Sequence, residues 1–188
     1  QIEGLLMPIM SPKTQKQFSS TNEADFSYFL EGEARYRVNM FRQRGEAGAV
    51  MRRIPLEVPT VEKLGLPPVI NKLADQENGL ILVTGPTGSG KTTTLAAMIE
   101  HINRSRPVHI MTIEDPIEFV YEDKLAAINQ RELGIDTDSL DAALKAVLRQ
   151  DPDIILMGEM RDKQTISFGI TAAETGHLAF ATLHTNNA

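Results

Sequence analysis

The sequence predicts an α/β protein built on a parallel sheet and preceded by a smaller unit with a mixed sheet. Short apolar runs, typical of buried strands, alternate with helical patterns from about residue 80 onward. A glycine-rich loop joins the first of these strands to a helix. Residues 34–54 show a different pattern, in which apolar and polar side chains alternate as in a half-buried hairpin.

The N-terminal domain, assigned to residues 1–54, is predicted to contain helix and loop followed by a β-hairpin. An apolar run and then a polar run indicate helix and loop up to about residue 30. Residues 34–42 alternate and predict a strand with one buried face. A glycine-containing turn then leads into a partner strand over residues 49–54.

A proline-rich linker is predicted over residues 55–68, and the parallel-sheet domain over residues 69–188. The continuous apolar run at 80–84 predicts a strand that is buried on both faces. The next helix carries its apolar side chains on one face, at Leu95, Met98, Ile99 and Ile102. Further strands are predicted over 109–113, 154–157 and 178–183, and further helices over 139–149 and 163–174.

Composition excludes some classes of site and argues against others. The 188 residues include no cysteine, so disulfides and thiolate metal sites are excluded. The formal net charge of -6 argues against a binder of bulk nucleic acid. Apolar runs stay well short of the roughly 18 residues that a membrane span needs, which favours a cytosolic location. The first and last residues suggest an excerpt from a longer protein.

The segment GPTGSGKT, residues 85–92, satisfies the phosphate-binding pattern G-x-x-x-x-G-K-[ST]. It follows a predicted strand and begins a predicted helix, so backbone N–H groups and the helix dipole converge on phosphate oxygens. Lys91 is expected to reach the outer phosphates, and the Thr92 hydroxyl to ligate Mg²⁺. The predicted nucleotide-binding residues of this loop are Gly85, Pro86, Thr87, Gly88, Ser89, Gly90, Lys91, Thr92 and Thr93.

Hydrolysis of a nucleotide needs a carboxylate near the attacking water, and Glu159 is the first candidate. It follows the strand IILM, which we expect beside the phosphate-loop strand, so that the carboxylate emerges at the ligand-binding edge of the sheet. We therefore predict a catalytic role and a metal-binding role for Glu159. The structural alternative is an ion pair with Arg161.

A second group of carboxylates lies in TIEDPIEF, residues 112–119. Glu114, Asp115 and Glu118 crowd the end of another predicted strand, where three acids repel one another unless a cation is near. We predict that they take part in catalysis. The structural alternative is a solvated acidic loop.

Two histidines flank the strand LAFATL and lie about 23 Å apart if that strand is extended. Only His184 lies at the ligand-binding end, and we predict that it contacts the terminal phosphate or senses it. For His177 a packing or capping role is favoured.

Arginines are concentrated in the predicted hairpin, at positions 35, 37, 42, 44, 52 and 53. A solvated strand face explains them structurally. An ATPase that works as a ring instead needs positive charge delivered to the phosphates by a neighbouring subunit. Arg37, Arg42 and Arg52 are the predicted nucleotide contacts from this domain.

Five motifs, taken together, resemble the secretion ATPase superfamily in order and spacing. They are GPTGSGKTTTLAAMI, TIEDPIEF, NQRELG, LRQDPDIILMGEMRD and AETGHLAFATLHT. Within that superfamily the chain is most similar to the retraction ATPases of type IV pili, the PilT/PilU group. The runs VNMFRQRGEAGAVMRRI and LHTNNA favour the PilU-like branch.

The resemblance implies a RecA-like P-loop ATPase core and a smaller PAS-like α+β N-terminal domain, both partial. It implies a homohexamer that binds ATP and Mg²⁺ and drives pilus retraction through a platform protein, at the inner face of the cytoplasmic membrane. By the same resemblance Glu159 matches the Walker B glutamate, residues 113–118 the Asp box and 177–184 the His box. The catalytic base stays open between Glu159 and Glu118.

Three other functions are alternatives to pilus retraction. A pilus assembly or type II secretion ATPase shares the motifs but drives movement in the opposite direction. A nucleic-acid motor conflicts with the acidic charge and with the lack of aromatic residues interleaved among basic ones. A P-loop kinase needs a lid, and the sequence contains no recognisable one.

Overall fold

Two units make up the chain in the computed structural model, which describes residues 1–55 and 57–184. Unit 1 spans Gln1–Glu57 and unit 2 spans Val58–Ala188. The division lies inside the stretch for which the sequence predicts a linker, residues 55–68. The linker and the domain bounds themselves stay predictions.

Unit 1 packs two helices on one face of an antiparallel sheet. Its elements are α1 (Ile2–Leu6), a 3-10 helix (Met7–Ile9), α2 (Pro12–Thr21), β1 (Glu23–Leu30), β2 (Ala34–Gln43) and β3 (Glu46–Ile54). The strands pair in the order β1-β2-β3, and both pairings are antiparallel, so the predicted mixed sheet is wrong. Arg44 and Gly45 form the tight turn between β2 and β3, with φ of 51° and 83°.

The predicted hairpin is confirmed, whereas the prediction of helix and loop up to residue 30 is wrong over residues 23–30. These residues form β1, whose Ala24 and Phe26 are buried in the core of unit 1. The polar run before β1 is α2 rather than loop. The Ser11 side chain caps this helix by accepting a hydrogen bond from Thr14 N at 3.2 Å. Phe18 of this helix is fully buried in the core of unit 1.

Unit 2 consists of a five-stranded parallel sheet with helices on both faces. Its elements are α3 (Val69–Ala74), β4 (Gly79–Gly85), α4 (Lys91–Ser105), β5 (His109–Glu114), β6 (Ala127–Glu132), α5 (Leu140–Val147), β7 (Ile154–Met157), α6 (Lys163–Glu174) and β8 (Leu178–His184). The strand order is β4-β8-β7-β5-β6. Alternate residues of β5, β7 and β8 enter two cores, one shared with α3 and α4 and the other with α5 and α6. The predicted α/β class is confirmed.

Two predictions about the sheet are wrong. The strand β7 that precedes Glu159 does not lie beside the phosphate-loop strand β4, because β8 lies between them. Nor is β4 buried on both faces, since it is the edge strand among the described residues and Leu82 is 42% exposed. An apolar run reports strand propensity, but its neighbours are decided by tertiary pairing. The elements α3 and β6 are additions that the sequence analysis did not predict.

Candidate nucleotide site

The phosphate loop lies between the end of β4 and the first turn of α4, as the motif predicts. Gly88 and Gly90 adopt φ of 79° and 90°, which side chains resist, so these positions require glycine. Gly90 is the N-cap of α4, and no side chain caps this helix. The free backbone N–H groups at that terminus are available to an anion.

Lys91 is a buried cation with uncharged partners. Its side-chain Nζ donates to the carbonyl oxygens of Gly85 and Pro86, both at 2.9 Å, and only 7% of the residue is exposed. Among the described residues no carboxylate lies within ion-pair distance of this ammonium. A buried charge without a counter-ion is costly, so the loop fits an anionic ligand such as a phosphate.

His184 connects the phosphate loop to the carboxylate that follows β7. Its Nδ1 lies 3.4 Å from Lys91 Nζ and 3.4 Å from Thr87 Oγ1, and its Nε2 lies 3.5 Å from Glu159 Oε1. Since an ammonium can only donate, Nδ1 accepts and the ring proton lies on Nε2, toward Glu159. The parallel register of β4 and β8 causes this contact, because Gly85 pairs with His184.

Glu159 lies at the same edge, and its position is fixed by β8. Thr182 Oγ1 donates to Gly158 O at 2.5 Å, and Met160 N donates to Thr182 O at 2.9 Å. The Glu159 carboxylate also accepts from Arg161 Nε at 2.6 Å. The pairing with Arg161, our structural alternative, is therefore present together with the contact to His184. The hydrogen bond to Glu159 and the negative charge of that carboxylate raise the pKa of Arg161, and the charge of Asp115 raises it further.

The three acids of residues 114–118 occupy different environments. Glu114 is 7% exposed, and its carboxylate accepts from Thr112 Oγ1 at 2.7 Å and from Gln130 Nε2 at 3.1 Å. Burial raises its pKa, against the hydrogen bonds from Thr112, Gln130 and the Glu118 backbone. Asp115 is exposed and Glu118 is half-buried. The alternative of a wholly solvated acidic loop is therefore wrong for Glu114.

His177 lies at the opposite end of β8 from the nucleotide loop. Its Nδ1 lies 3.0 Å from Thr175 Oγ1 and 3.2 Å from Ala172 O, at the C-terminal end of α6. The contacts agree with the capping role that the sequence favours for this histidine.

The three arginines predicted to contact nucleotide do not share one face of the sheet in unit 1. Arg42 forms an ion pair with Glu3 at 3.1 Å, and its guanidinium carbon lies 5.0 Å from the centre of the Phe18 ring. Arg37 and Arg52 are cross-strand neighbours, so both side chains project from the other face, and both are exposed. Two like charges placed opposite each other repel, and a bound anion would relieve that repulsion.

The donor set fits a hydrated Mg²⁺ rather than a metal caged by protein. Thr92 lies in the first turn of α4, and Glu159 supplies a carboxylate at the sheet edge. Over residues 1–55 and 57–184, no group of three or more histidine, cysteine or acidic side chains is arranged to hold a metal ion. Mg²⁺ commonly binds through one or two protein oxygens, with phosphate and water completing its shell.

None of the helices described over residues 1–55 and 57–184 has the length and hydropathy needed to cross a membrane.

The family model for the type II/IV secretion system proteins matches residues 26–188. The chain belongs to this family. A secretion system family member, the type IV pilus retraction ATPase PilT of Pseudomonas aeruginosa, is 54% identical over the whole chain, which spans 55% of that relative. PilU of the same organism is 44% identical over the whole chain, which spans 49% of that relative.

A solved structure of the pilus retraction motor PilT with bound ADP superposes with a TM-score of 0.95 at 50% identity. That match covers 99% of this chain and 54% of the other. It confirms the predicted fold class, a partial RecA-like ATPase core with a smaller N-terminal α+β domain. The chain spans about half the length of the curated relatives it matches. The higher identity with PilT argues against the PilU-like branch.

Thr112, Gln130 and Thr182 support the site, but the sequence analysis did not single them out. Thr112 and Thr182 are buried hydroxyls inside strands that are otherwise mostly apolar, and this pattern was a usable signal. Gln130 belongs to the motif NQREL, whose strand was not predicted. The ending LHTNNA, used above for the branch, continues past residue 184 and lies partly outside the described residues.

Proposed function

We propose that the protein is an ATP-hydrolysing motor that works as a homohexameric ring and powers the retraction of type IV pili. The observation that carries the proposal is the contact series from Lys91 through His184 to Glu159, with distances of 3.4 and 3.5 Å. It joins a phosphate-binding loop to a carboxylate that can act on water. The same activity is supported by the similar PilT of Pseudomonas aeruginosa, a pilus retraction ATPase, and by the ADP bound in the similar PilT structure.

In this proposal the backbone of residues 85–93 binds the phosphates, and Lys91 exchanges its carbonyl partners for phosphate oxygens. Thr92 and Glu159 hold Mg²⁺, which neutralises phosphate charge when it is bound. Glu159 Oε1 accepts a proton from water, while His184 responds to the occupancy of the loop through its contact with Lys91. Glu118 is the alternative base, and Glu114 and Asp115 belong to the same acidic loop.

We also propose that Arg37 and Arg52, more than Arg42, deliver positive charge to the nucleotide of a neighbouring subunit. Arg42 forms an ion pair with Glu3, whereas Arg37 and Arg52 lie side by side on the other face of the sheet. Residues 1–54 then form the PAS-like domain, joined by 55–68 to the ATPase domain at 69–188. The partner is a pilus platform protein, and the ring works in the cytoplasm at the inner face of the membrane.

Replacement of the phosphate-loop lysine tests the nucleotide assignment. In the intact protein, Lys91→Ala is expected to abolish ATP turnover, because the only side-chain cation of the loop is lost, while the circular dichroism spectrum stays unchanged. Lys145→Ala is the matched control, since Lys145 is exposed and pairs only with Asp141 in the described structure. Turnover at the wild-type rate in Lys91→Ala would refute the assignment.

Replacement of the Walker B glutamate tests the choice of base. Glu159→Gln is expected to bind ATP and to hydrolyse it about 10²-fold more slowly, because the amide cannot accept a proton. Binding is measured with a fluorescent ATP analogue and turnover by phosphate release. If turnover remains near normal, the base is Glu118 and not Glu159.

The direction of pilus movement is tested in cells. Deletion of the intact gene is expected to leave surface pili that cannot retract, visible by fluorescent labelling of pilin. Cells without pili would instead indicate an assembly ATPase and overturn the retraction assignment.

A further inference from the structure

Glu114 is enclosed by hydrogen-bond donors rather than turned toward solvent. The hydroxyl of Thr112 and the amide of Gln130 both donate to its carboxylate, at 2.7 and 3.1 Å. With 7% of the residue exposed, little of the carboxylate can meet a water molecule. Gln130 instead connects this carboxylate to the loop that carries Glu118, because its side chain also bonds Phe119 O and Tyr121 N.

Gln130 uses every hydrogen-bonding group of its side chain to join β6 to that loop. Nε2 donates to Glu114 Oε1 at 3.1 Å and to Phe119 O at 2.8 Å, while Oε1 accepts from Tyr121 N at 2.9 Å. A side-chain amide offers two donors and one carbonyl acceptor, so these three contacts determine its orientation. No apolar residue of similar shape can reproduce them.

We infer that Gln130 and Glu114 form a buried strut that positions Glu118 for hydrolysis, and that Glu114 does not itself act on water. The inference rests on the proposed ATPase function and separates residues that position a catalytic group from the catalytic group itself. Glu118 follows Glu114 by four residues and is half-buried, so part of the residue remains open to solvent. Gln130 and Glu114 are positioning residues in this assignment, and Glu118 orients the attacking water whose proton Glu159 accepts.

A positioning role predicts a loss of rate without a loss of nucleotide affinity. Misplacement of a catalytic group by about 1 Å can cost on the order of 10²-fold in rate. The phosphate loop, which decides nucleotide affinity, makes none of the strut contacts described above. Gln130→Met, close in shape, is therefore expected to lower kcat by about 10-fold or more, with little change in the KM for ATP.

The strut is tested with substitutions on two strands of the intact protein. Thr112→Val removes a donor to Glu114 and keeps the side-chain shape, so it should lower kcat as Gln130→Met does. Thr112→Ser retains the hydroxyl and should restore the rate. Asn129→Leu is the control on β6, because the Asn129 side chain bonds His109 on the other face of the strand.

A double substitution tests whether the strut acts through Glu118. Once Glu118→Gln has removed the carboxylate, adding Gln130→Met should cost no further rate, since residues that act as one unit are non-additive. Additive losses would overturn the inference, as would wild-type kcat in Glu118→Gln or in Gln130→Met. A rise in KM together with a lower melting temperature would assign Gln130 a purely structural role and also overturn it.

The outcomes for the strut and for the ATPase proposal can be told apart. If the wild type and Asn129→Leu hydrolyse ATP and Gln130→Met does so equally well, only the strut fails. If the wild type itself releases no phosphate from ATP with Mg²⁺ present, the proposed function fails.

Discussion

Asn103 is predicted to hold residues 122–124 against α4, and its replacement by alanine should lower the free energy of unfolding. The residue is fully buried on α4. Its Nδ2 donates to Glu122 O at 2.8 Å, and its Oδ1 accepts from Lys124 N at 3.0 Å. The loop thus depends on a single side chain for two of its backbone hydrogen bonds.

The expected magnitude follows from those two contacts. An unsatisfied polar group costs about 1–3 kcal/mol when buried, and the neighbourhood of Glu122 and Lys124 admits some water, so the lower end applies to each. Alanine recovers roughly 0.5 kcal/mol because it is the better helix former. The third contact, Nδ2 to Glu100 Oε2 at 3.4 Å, adds little, since Glu100 keeps Arg104 and Lys124 as partners. Asn103→Ala should therefore lower the free energy of unfolding by about 1.5 kcal/mol.

Urea denaturation measures this change, with an unchanged m value showing that the unfolded reference is the same. Hydrogen exchange at the Lys124 amide should accelerate in parallel, because Asn103 supplies its acceptor. Ser105→Ala is the control on the same helix, since Ser105 is exposed and should change stability by about 0.5 kcal/mol or less. A similarly small effect of Asn103→Ala, with unaltered exchange at Lys124, would show that the loop is held by other contacts.

Two further predictions concern charge and backbone conformation. Burial raises the pKa of Glu100, but the hydrogen bonds from Lys124 and Arg104 outweigh it and hold the pKa below its ordinary 4.5. Because its pKa is lower in the folded state, ionised Glu100 stabilises the fold at pH values above its unfolded-state pKa. The stability lost in Glu100→Gln should therefore be largest near about pH 7 and vanish as the pH falls through the folded-state pKa. Urea titrations at several pH values measure it, and a pH-independent loss contradicts it. Gly90→Ala should weaken ATP binding at least about tenfold, because φ of 90° is costly for alanine; unaltered binding of a fluorescent ATP analogue contradicts this.

Sequence patterns predicted the elements whose periodicity is strong and whose surroundings are uniform. The helix α6 begins and ends where the pattern placed it, and β5, β7 and β8 were found from short apolar runs. The face of α4 formed by Leu95, Met98, Ile99 and Ile102 is buried as expected. In each case one face or both faces are covered, so composition alone identifies the element.

The features that the sequence did not predict, namely two elements and the strand order, have a different physical origin. The strand β1 alternates Ala24, Phe26 and Tyr28 with polar residues, but the polar segment before it obscured the pattern. The helix α2 has few apolar residues and depends on its cap at Ser11. The order of the strands, including the position of β8 beside β4, depends on pairing between distant segments, which no local pattern encodes.

The same limit applies to the site. The motif identified Lys91, His184 and Glu159 separately, and their contact follows from the register between β4 and β8. Which of the three acids is buried was not predictable, because Thr112 and Gln130 reach Glu114 from different strands. The roles of the predicted site residues stay predictions.

Because β8 lies between β4 and β7, its length determines the positions of both the phosphate loop and the segment that carries Glu159. Through Gly85 it is aligned with the loop, and through Thr182 it holds the segment that presents Glu159. Inserting or deleting one residue in LAFATL would turn its side chains to the opposite faces and shift both alignments at once. Variants of this strand can therefore exchange side chains but cannot change their number.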